Sequence, residues 1–482
     1  MVKKAWKIEY DLLNSAKPKT NKLPDWGGIS NFEKFNQKLL KLFWLSFVPG
    51  SGAPEHLVVG AVQSVENMGK DVTKAERLLE DGFQALEKND LVSLGAITSN
   101  IFHLLNEAKD IPGHPYHKFK RPLSWEEISK HFLDDEDISI SPDILRDKMY
   151  GGWVGQICGA SMGTAIEGYT HDALIHAFGD KLGTYLYKPS TINDDITYEI
   201  AFLLAYGKFK QNITSKDIAL NWVTYIPFGW SAEYIALENL KRGIYPPLSG
   251  RIVNPYQEWI GAQMRCMVHG LVSPGKPCKA ARLAFLDSQI SHSGNGIYGG
   301  IHSAVLTSLA FVYDKPRSVV RKSVEYIPES TEFRKVVSTV IGWCEEAGNW
   351  EEVLRKAENH FKKYNWVHLY PNTAGVITSL WFGEGNFERS MRIVSSFGYD
   401  VDCNAGEVGT VLGIILGIDR IDSKWYEPFN GIIETYMKGF KKIKITELVE
   451  KAMNSILRLN SNEKNIRFKK RKNDQYKIQE QS

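Results

Sequence analysis

Long apolar runs are missing from this chain. No stretch approaches the ~20 consecutive apolar residues that a membrane-spanning helix needs. Leu39 to Val48 comes nearest, and it is short and interrupted by Lys41. The basic start Met1-Val2-Lys3-Lys4 leads into Ile8-Glu9-Tyr10-Asp11 with no apolar segment behind it, which argues against a signal peptide. Cysteine is scarce as well. The five residues, Cys158, Cys266, Cys278, Cys344 and Cys403, are odd in number, scattered, and form no C-x-x-C pair. That pattern argues against a zinc site and fits a reducing cytoplasm. A large charge of one sign is also absent. Lys and Arg number 59 against 56 Asp and Glu, and a net +3 is too small to point to nucleic acid. Phosphate-loop and dinucleotide fingerprints are wanting too. Gly50-Ser51-Gly52 has no following Lys-Ser/Thr, and the glycines after Met149 follow no strand-like run.

What is present is an ordinary globular composition, 43% hydrophobic and 24% charged over 482 residues. That length suits two to three domains, or one large domain with an extension. Residues 1–135 read as a helical accessory domain for docking or oligomerisation. Helices are expected over Asn31–Val48, Glu55–Met68, Thr73–Glu87 and Asp90–Ala108, with no acid, Cys or His cluster that suggests chemistry. Ser139 to Asp147 is a linker. From 144 to 440 strand signals are scarce, and nearly every segment reads as a helix rich in small residues, so the region is expected to be all-α. Residues 457–482 carry eight Lys/Arg against three Asp/Glu, a local +5, and read as a solvated, mobile tail.

Two acidic clusters stand at expected helix starts. Gly398-Tyr399-Asp400-Val401-Asp402-Cys403-Asn404 precedes a run with small residues at helical spacing, Ala405 to Gly413. Asn193-Asp194-Asp195-Ile196-Thr197 precedes the apolar run from Tyr198 to Ala205. Either cluster alone is a reasonable capping device that complements the helix dipole. It also suits a hard cation, which wants several oxygens in one place. Two such clusters brought together would repel unless a cation compensates them, so capping alone is the weaker account.

Other stretches offer binding surfaces. Glycines at 151, 155, 159 and 163 form a ridge that lets a helix or ligand approach the backbone closely, and Glu167 ends that run. Taken alone, Glu167 reads more readily as a solvent-facing acid at a helix end. Ser291-His292-Ser293-Gly294-Asn295-Gly296 is a Gly-rich loop entering a helix over Ile301–Ala310, where backbone N–H groups could cradle a phosphate or serve only as a tight turn. Asn365 to Asn372 is a loop in which Trp366, His368 or Tyr370 could stack on a base or simply be buried.

Four blocks, in order, resemble the ADP-ribosylglycohydrolase family over about residues 145–440. Gly159-Ala160-Ser161-Met162-Gly163-Thr164-Ala165-Ile166-Glu167 is similar to the family's G-D-A-L-G-x-P-x-E. Asn193-Asp194-Asp195-Ile196-Thr197 is similar to T-D-D-T. Gly261-Ala262-Gln263-Met264-Arg265 with Ser291-His292 is similar to G-x-A-M-R and S-H, and Gly398 to Asn404 to G-G-D-T-D-T/S. The resemblance implies an all-α, orthogonally packed fold with two Mg²⁺ ions in a cleft, Mn²⁺ being the alternative. It implies cleavage of the N- or O-glycosidic bond at the anomeric carbon of an ADP-ribosyl group on a protein or small acceptor. Carried across, Asp194, Asp195, Asp400 and Asp402 are expected metal ligands, with Asn193 and Cys403 at the positions of two further ligands. Glu167 is expected near the metals or substrate, and it or Asp195 as the base toward water.

On that reading the Gly294–Asn295–Gly296 loop is expected to receive the diphosphate, with Ser291 and His292 also expected to bind substrate. Trp366, His368 or Tyr370 would take the adenine. The departures are Asn193 for Thr, Ile196 for Thr or Ser, Cys403 for Thr or Ser, and Ala160 for Asp. A thiol suits a hard ion poorly. Two other readings stand beside the first. One is hydrolysis of another N-ribosyl or nucleoside-type bond. The other is a non-catalytic member that binds ADP-ribose or serves structurally. No membrane partner is expected, and nucleic acid is not favoured despite the basic C-terminal residues.

Overall fold

Small residues spaced four apart in two distant stretches find each other, and their contact forms the axis of the protein. In the computed structural model, which describes residues 2–18, 30–136, 139–457, 466–470 and 476–480, the glycine ridge lies on the Pro142–Gly163 helix. Its partner is the Val401–Leu416 helix. Gly151, Gly155 and Gly159 face the carbonyl oxygens of Gly413, Gly409 and Ala405 so closely that a Cβ at any of the three would overlap them. The contact is reciprocal, with Gly409 and Gly413 against the carbonyls of Gly155 and Gly151. Backbones this close gain dispersion and weak Cα–H···O contacts that side chains would prevent. The last glycine, Gly163, lies against the backbone of Asp402, so the ridge also fixes where the second helix begins.

The architecture is all-α. Strands among the described residues occur only as short two-stranded pairs. Local signals explain many helix starts. Pro142 takes the first helical position while the Ser141 hydroxyl accepts from the N–H of Ile144. Thr214 and Asp217 form a capping box on the Ser215–Tyr225 helix. Pro227 and Gly229 separate the Ser215–Tyr225 helix from the next one, Ser231–Lys241. The glycines at 296, 299 and 300, expected as a loop, lie inside a helix, Asn295–Leu309. There Gly299 lies against Leu369, and Gly300 against Ser288 and Cys266. Burial of the whole helix outweighs the low helix propensity of glycine.

The N-terminal region is helical as expected, but its packing does not stop at residue 135. Trp44, Leu57, Val58, Ala61 and Leu94 belong to the same continuous core as Trp153, Trp259 and Leu412. Trp259 Nε1 donates to the Ser64 hydroxyl at 2.7 Å, and the Tyr256 hydroxyl donates to the Leu57 carbonyl at 2.9 Å. The Ala5–Ser15 helix differs in burying none of its residues. Of the basic 457–482 segment, Ile466–Lys470 and Tyr476–Glu480 pair as antiparallel strands. Much of the rest, Arg471 and Lys472 included, lies outside the described residues. Among the described residues no helix is long and apolar enough to cross a membrane.

A carboxylate cleft as candidate metal centre

The two acidic clusters meet in one cleft. It measures about 360 Å³ and is lined by Glu167, Asn193, Asp194, Asp400, Asp402 and Cys403 on one side. Much of the rest is aromatic or apolar, with Phe228, Trp230, Trp366 and Tyr436, and it also includes Glu55 and Glu233. That volume is within the range of small-molecule sites.

Capping accounts for little of this acidity. Asp400 occupies the N-cap position of the Val401–Leu416 helix, yet its side chain makes no capping bond. At the other cluster Asn193 is the cap, its Oδ1 accepting from the N–H of Ile196 at 3.4 Å, which leaves Asp194 and Asp195 without that role. The chain arrives at Asp400 under strain. Gly398 has φ +82° with its Cα against the Tyr169 carbonyl, and Tyr399, which is not glycine, has φ +65°. Such backbone strain persists only where the surroundings over-determine it. Here the surroundings are the Tyr169–Tyr399 strand pair and the side-chain oxygen of Asn372, which accepts from the Asp400 N–H at 3.2 Å.

The electrostatics are those of buried carboxylates crowded together. Burial, then the neighbouring carboxylates, hold Glu167, Asp195 and Asp400 well above the usual carboxylate range. Asp194 is pushed up to about 7, by burial first and Asp402 second. Among the described residues no ion pair reaches any of the five acids. Asp195 Oδ2 and Asp400 Oδ1 are buried with no hydrogen-bond donor. Orphaned buried oxygens in a cluster of carboxylates fit a bound divalent cation. Asp400, Asp402 and Cys403 each offer one ligand atom, all within 4.8 Å of one another.

Three departures from the family pattern have structural readings. The Cys403 thiol is held well above its ordinary value, by burial and then by Asp195. It donates to Asp195 Oδ1 at 3.4 Å, so it stands as a thiol rather than a thiolate ligand. Asn193 turns its amide nitrogen to Asp402 Oδ2 at 3.4 Å. Ile196 is buried core.

The residues expected to hold substrate divide sharply. Trp366 lines the cleft. The others do not, and each has an internal partner instead. Ser291 and His292 are fully buried behind Glu233. The Ser291 hydroxyl donates to Glu233 Oε1 at 3.1 Å, accepts from Arg265 at 2.9 Å, and lies 2.7 Å from His292 Nδ1. The helix N-terminus at Gly294–Asn295–Gly296 already has an internal acceptor, the Glu258 carboxyl. Glu258 Oε1 accepts from the Asn295 backbone N–H at 3.1 Å and from its side chain at 3.0 Å, so a diphosphate would displace a buried carboxylate. His368 caps the Leu369–Gly383 helix, its Nδ1 accepting from the Tyr370 N–H at 3.2 Å, and burial pushes it down to about 3. Tyr370 is buried, its hydroxyl donating to Glu332 at 3.0 Å.

The sequence reading missed Glu55, Glu233 and Tyr436 on the cleft wall. Glu233 is held by Arg265, whose Nη1 lies 2.6 Å away and whose Nε reaches Asp287 at 2.7 Å. The one available signal was that Arg265, in a small-residue helix, needs carboxylates.

An all-α protein with an acidic, cation-suited cleft at the ends of its central helices is the class that fold and site define. A sequence model of the ADP-ribosylglycohydrolase family matches residues 141–461, well over half of the chain, and the chain belongs to that family. The family is one of glycohydrolases acting on ADP-ribosylated substrates, generally with divalent metals, and membership supports a glycohydrolase activity. Among solved structures, the chain is similar to one titled an ADP-ribosylglycohydrolase-related protein complex. Identity is 16%, 65% of this chain and 99% of that chain are covered, and the TM-score is 0.47. No curated protein matches the sequence.

Proposed function

We propose that the protein is a divalent-metal-dependent hydrolase of the glycosidic bond at the anomeric carbon of an ADP-ribosyl group. The observation that carries this reading is the convergence of Glu167, Asp194, Asp400 and Asp402 on one cleft with Asp195 close behind, from three distant segments, with orphaned oxygens on Asp195 and Asp400 and no ion pair to any of the five among the described residues. Asp194, Asp195, Asp400 and Asp402 would hold two Mg²⁺ ions, Mn²⁺ being the alternative. Bound there, such ions supply Lewis-acid stabilisation of a hydroxyl-rich ribosyl group and acidify water.

The chain's own residues divide the remaining work. Asp195 is fully buried behind Cys403 and is absent from the cleft lining, which suits a ligand better than a base. Glu167 is part-exposed in the cleft and, ionised once bound cations offset the neighbouring carboxylates, would take a proton from water attacking the anomeric carbon. Departure of the leaving group builds oxocarbenium character in the ribose, which the surrounding carboxylates stabilise. Trp366 offers a face for the adenine. Asn372 ties the loop carrying Trp366 to the acids. It donates to the Trp366 carbonyl at 2.7 Å and accepts from Asp400 and Asn404.

A second reading has its own observation. The cleft is lined by six carboxylates and by no lysine or arginine, which favours a ribosyl substrate without a diphosphate. One assay separates the two. The wild-type protein is offered ADP-ribosylated amino acids, O-acetyl-ADP-ribose and N-ribosyl nucleosides, with Mg²⁺ and with EDTA. The primary reading expects Mg²⁺-dependent release of free ADP-ribose. Release of ribose alone supports the second reading, and turnover unaffected by EDTA contradicts the metal role in both.

A further inference from the structure

We propose that the N-terminal region completes the substrate site, with Glu55 as a specificity-determining residue that binds an N–H-bearing group of the substrate. The inference rests on the glycohydrolase reading for the identity of that substrate, but its geometry stands apart. Glu55 lies far outside the family's matched segment, yet it lines the same cleft as Glu167 and Asp400.

Its setting is built and rigid. Ser46 and Glu55 face each other across a short antiparallel pair, closed by bonds from Val48 N–H to the Ala53 carbonyl at 2.9 Å and from Gly52 N–H to the Val48 carbonyl at 3.0 Å. This hairpin braces the stretch carrying Glu167, since the Tyr169 hydroxyl donates to the Ser51 carbonyl at 3.1 Å. One carboxylate oxygen of Glu55 is fully engaged. Oε2 accepts from Trp230 Nε1 at 2.8 Å and from the Ser46 hydroxyl at 3.1 Å. The other, Oε1, is buried with no donor, although the residue is only 4% exposed.

Most buried acids have their oxygens bonded. Glu199, Asp287 and Glu407 each carry an orphaned oxygen too, but of the acids that carry one only Glu55 and Asp400 line the cleft among the described residues. No cation is paired with it among the described residues, and the cleft lining holds none. In an aromatic-walled cleft whose charged groups are all acids, that oxygen selects an N–H donor. Burial pushes Glu55 up to about 7, and a cationic donor would hold it ionised, where a charge-assisted bond is among the stronger ones. That chemistry has two sources, the amino edge of a base and a guanidinium on the leaving group.

The test is calorimetric binding of two probes, ADP-ribose and agmatine, in Mg²⁺. Glu55→Gln keeps an acceptor for Trp230 and Ser46 while removing the charge. The inference expects at least one probe to bind this variant on the order of tenfold more weakly than wild type. Loss for ADP-ribose assigns the base, and loss for agmatine the leaving group. Trp230→Phe, which frees Glu55 to swing, is expected to weaken the same probe to a smaller degree. It decides the matter if circular dichroism shows Glu55→Gln unfolded. Equal binding by wild type and the folded variants, or binding of neither probe by wild type, overturns the proposal. Failure of the glycohydrolase reading shows separately, as absent turnover while the probes still report on Glu55.

Discussion

Replacing Gly155 with alanine should destabilise the protein even though alanine is the better helix former. The added methyl would meet the carbonyl of Gly409, a backbone atom that cannot rotate away, so the two central helices must separate. Forcing a methyl into a close-packed interior costs about 1–3 kcal/mol, and a rigid neighbour places this case at or above the upper end. Helix propensity returns about 1 kcal/mol. The net expectation is destabilisation by roughly 2 kcal/mol or more. Gly207 provides the control. It is exposed in the Asp194–Phe209 helix, and a Cβ there meets nothing within 4 Å. Alanine at 207 should stabilise by about 0.5–1 kcal/mol. Urea unfolding midpoints, read with unchanged slope, should therefore move in opposite directions for the two variants. Because Gly163 on the same ridge abuts Asp402, the Gly155 variant should also bind divalent cation more weakly. A Gly155→Ala midpoint equal to or above wild type would refute the ridge-to-ridge account.

One further outcome follows from the site and one from the buried Val401–Leu416 helix that carries Glu407. Cys403→Ser places a hard oxygen where the thiol now lies beside Asp400 and Asp402, and Mg²⁺ titration should show severalfold tighter binding; unchanged affinity would place position 403 outside the coordination sphere. Glu407, pushed up to about 7 by burial, keeps its proton in the folded state where the unfolded chain has lost it. Its contribution is therefore unfavourable above the unfolded value of 4.5, growing as pH rises toward about 7. Glu407→Gln should raise stability at pH 8 relative to pH 5 by on the order of 1–3 kcal/mol in urea unfolding, and an equal effect at both pH values would contradict this.

The fold class and the acid clusters were legible because both are local patterns. Asp400-Val401-Asp402 and Asn193-Asp194-Asp195 announce themselves as acids before small-residue helices, and the four-residue glycine spacing announces a close helix contact. The glycine ridge could not name its partner, since Gly155 and Gly409 are joined only by the fold. The internal partner of the Gly294–Gly296 turn was hidden for the same reason. Glu258, whose carboxyl accepts from Asn295, sits 37 residues earlier with nothing in its neighbourhood to mark it. Glu55 was hidden in a region with no cluster of chemical side chains. Its meaning comes from Trp230, 175 residues away. His368 looked like a ligand-facing loop residue because a side-chain cap and a stacking residue have the same appearance in sequence.

The central claim is that Asp194, Asp195, Asp400 and Asp402 hold divalent cations that the reaction requires. Its most direct test is release of free ADP-ribose by Asp400→Ala/Asp402→Ala, measured beside wild type at saturating Mg²⁺, on protein shown by circular dichroism to be folded. The account predicts turnover by wild type and loss of at least ~100-fold in the variant, the scale of removing a principal electrostatic stabiliser. Full turnover by the folded double variant would contradict it.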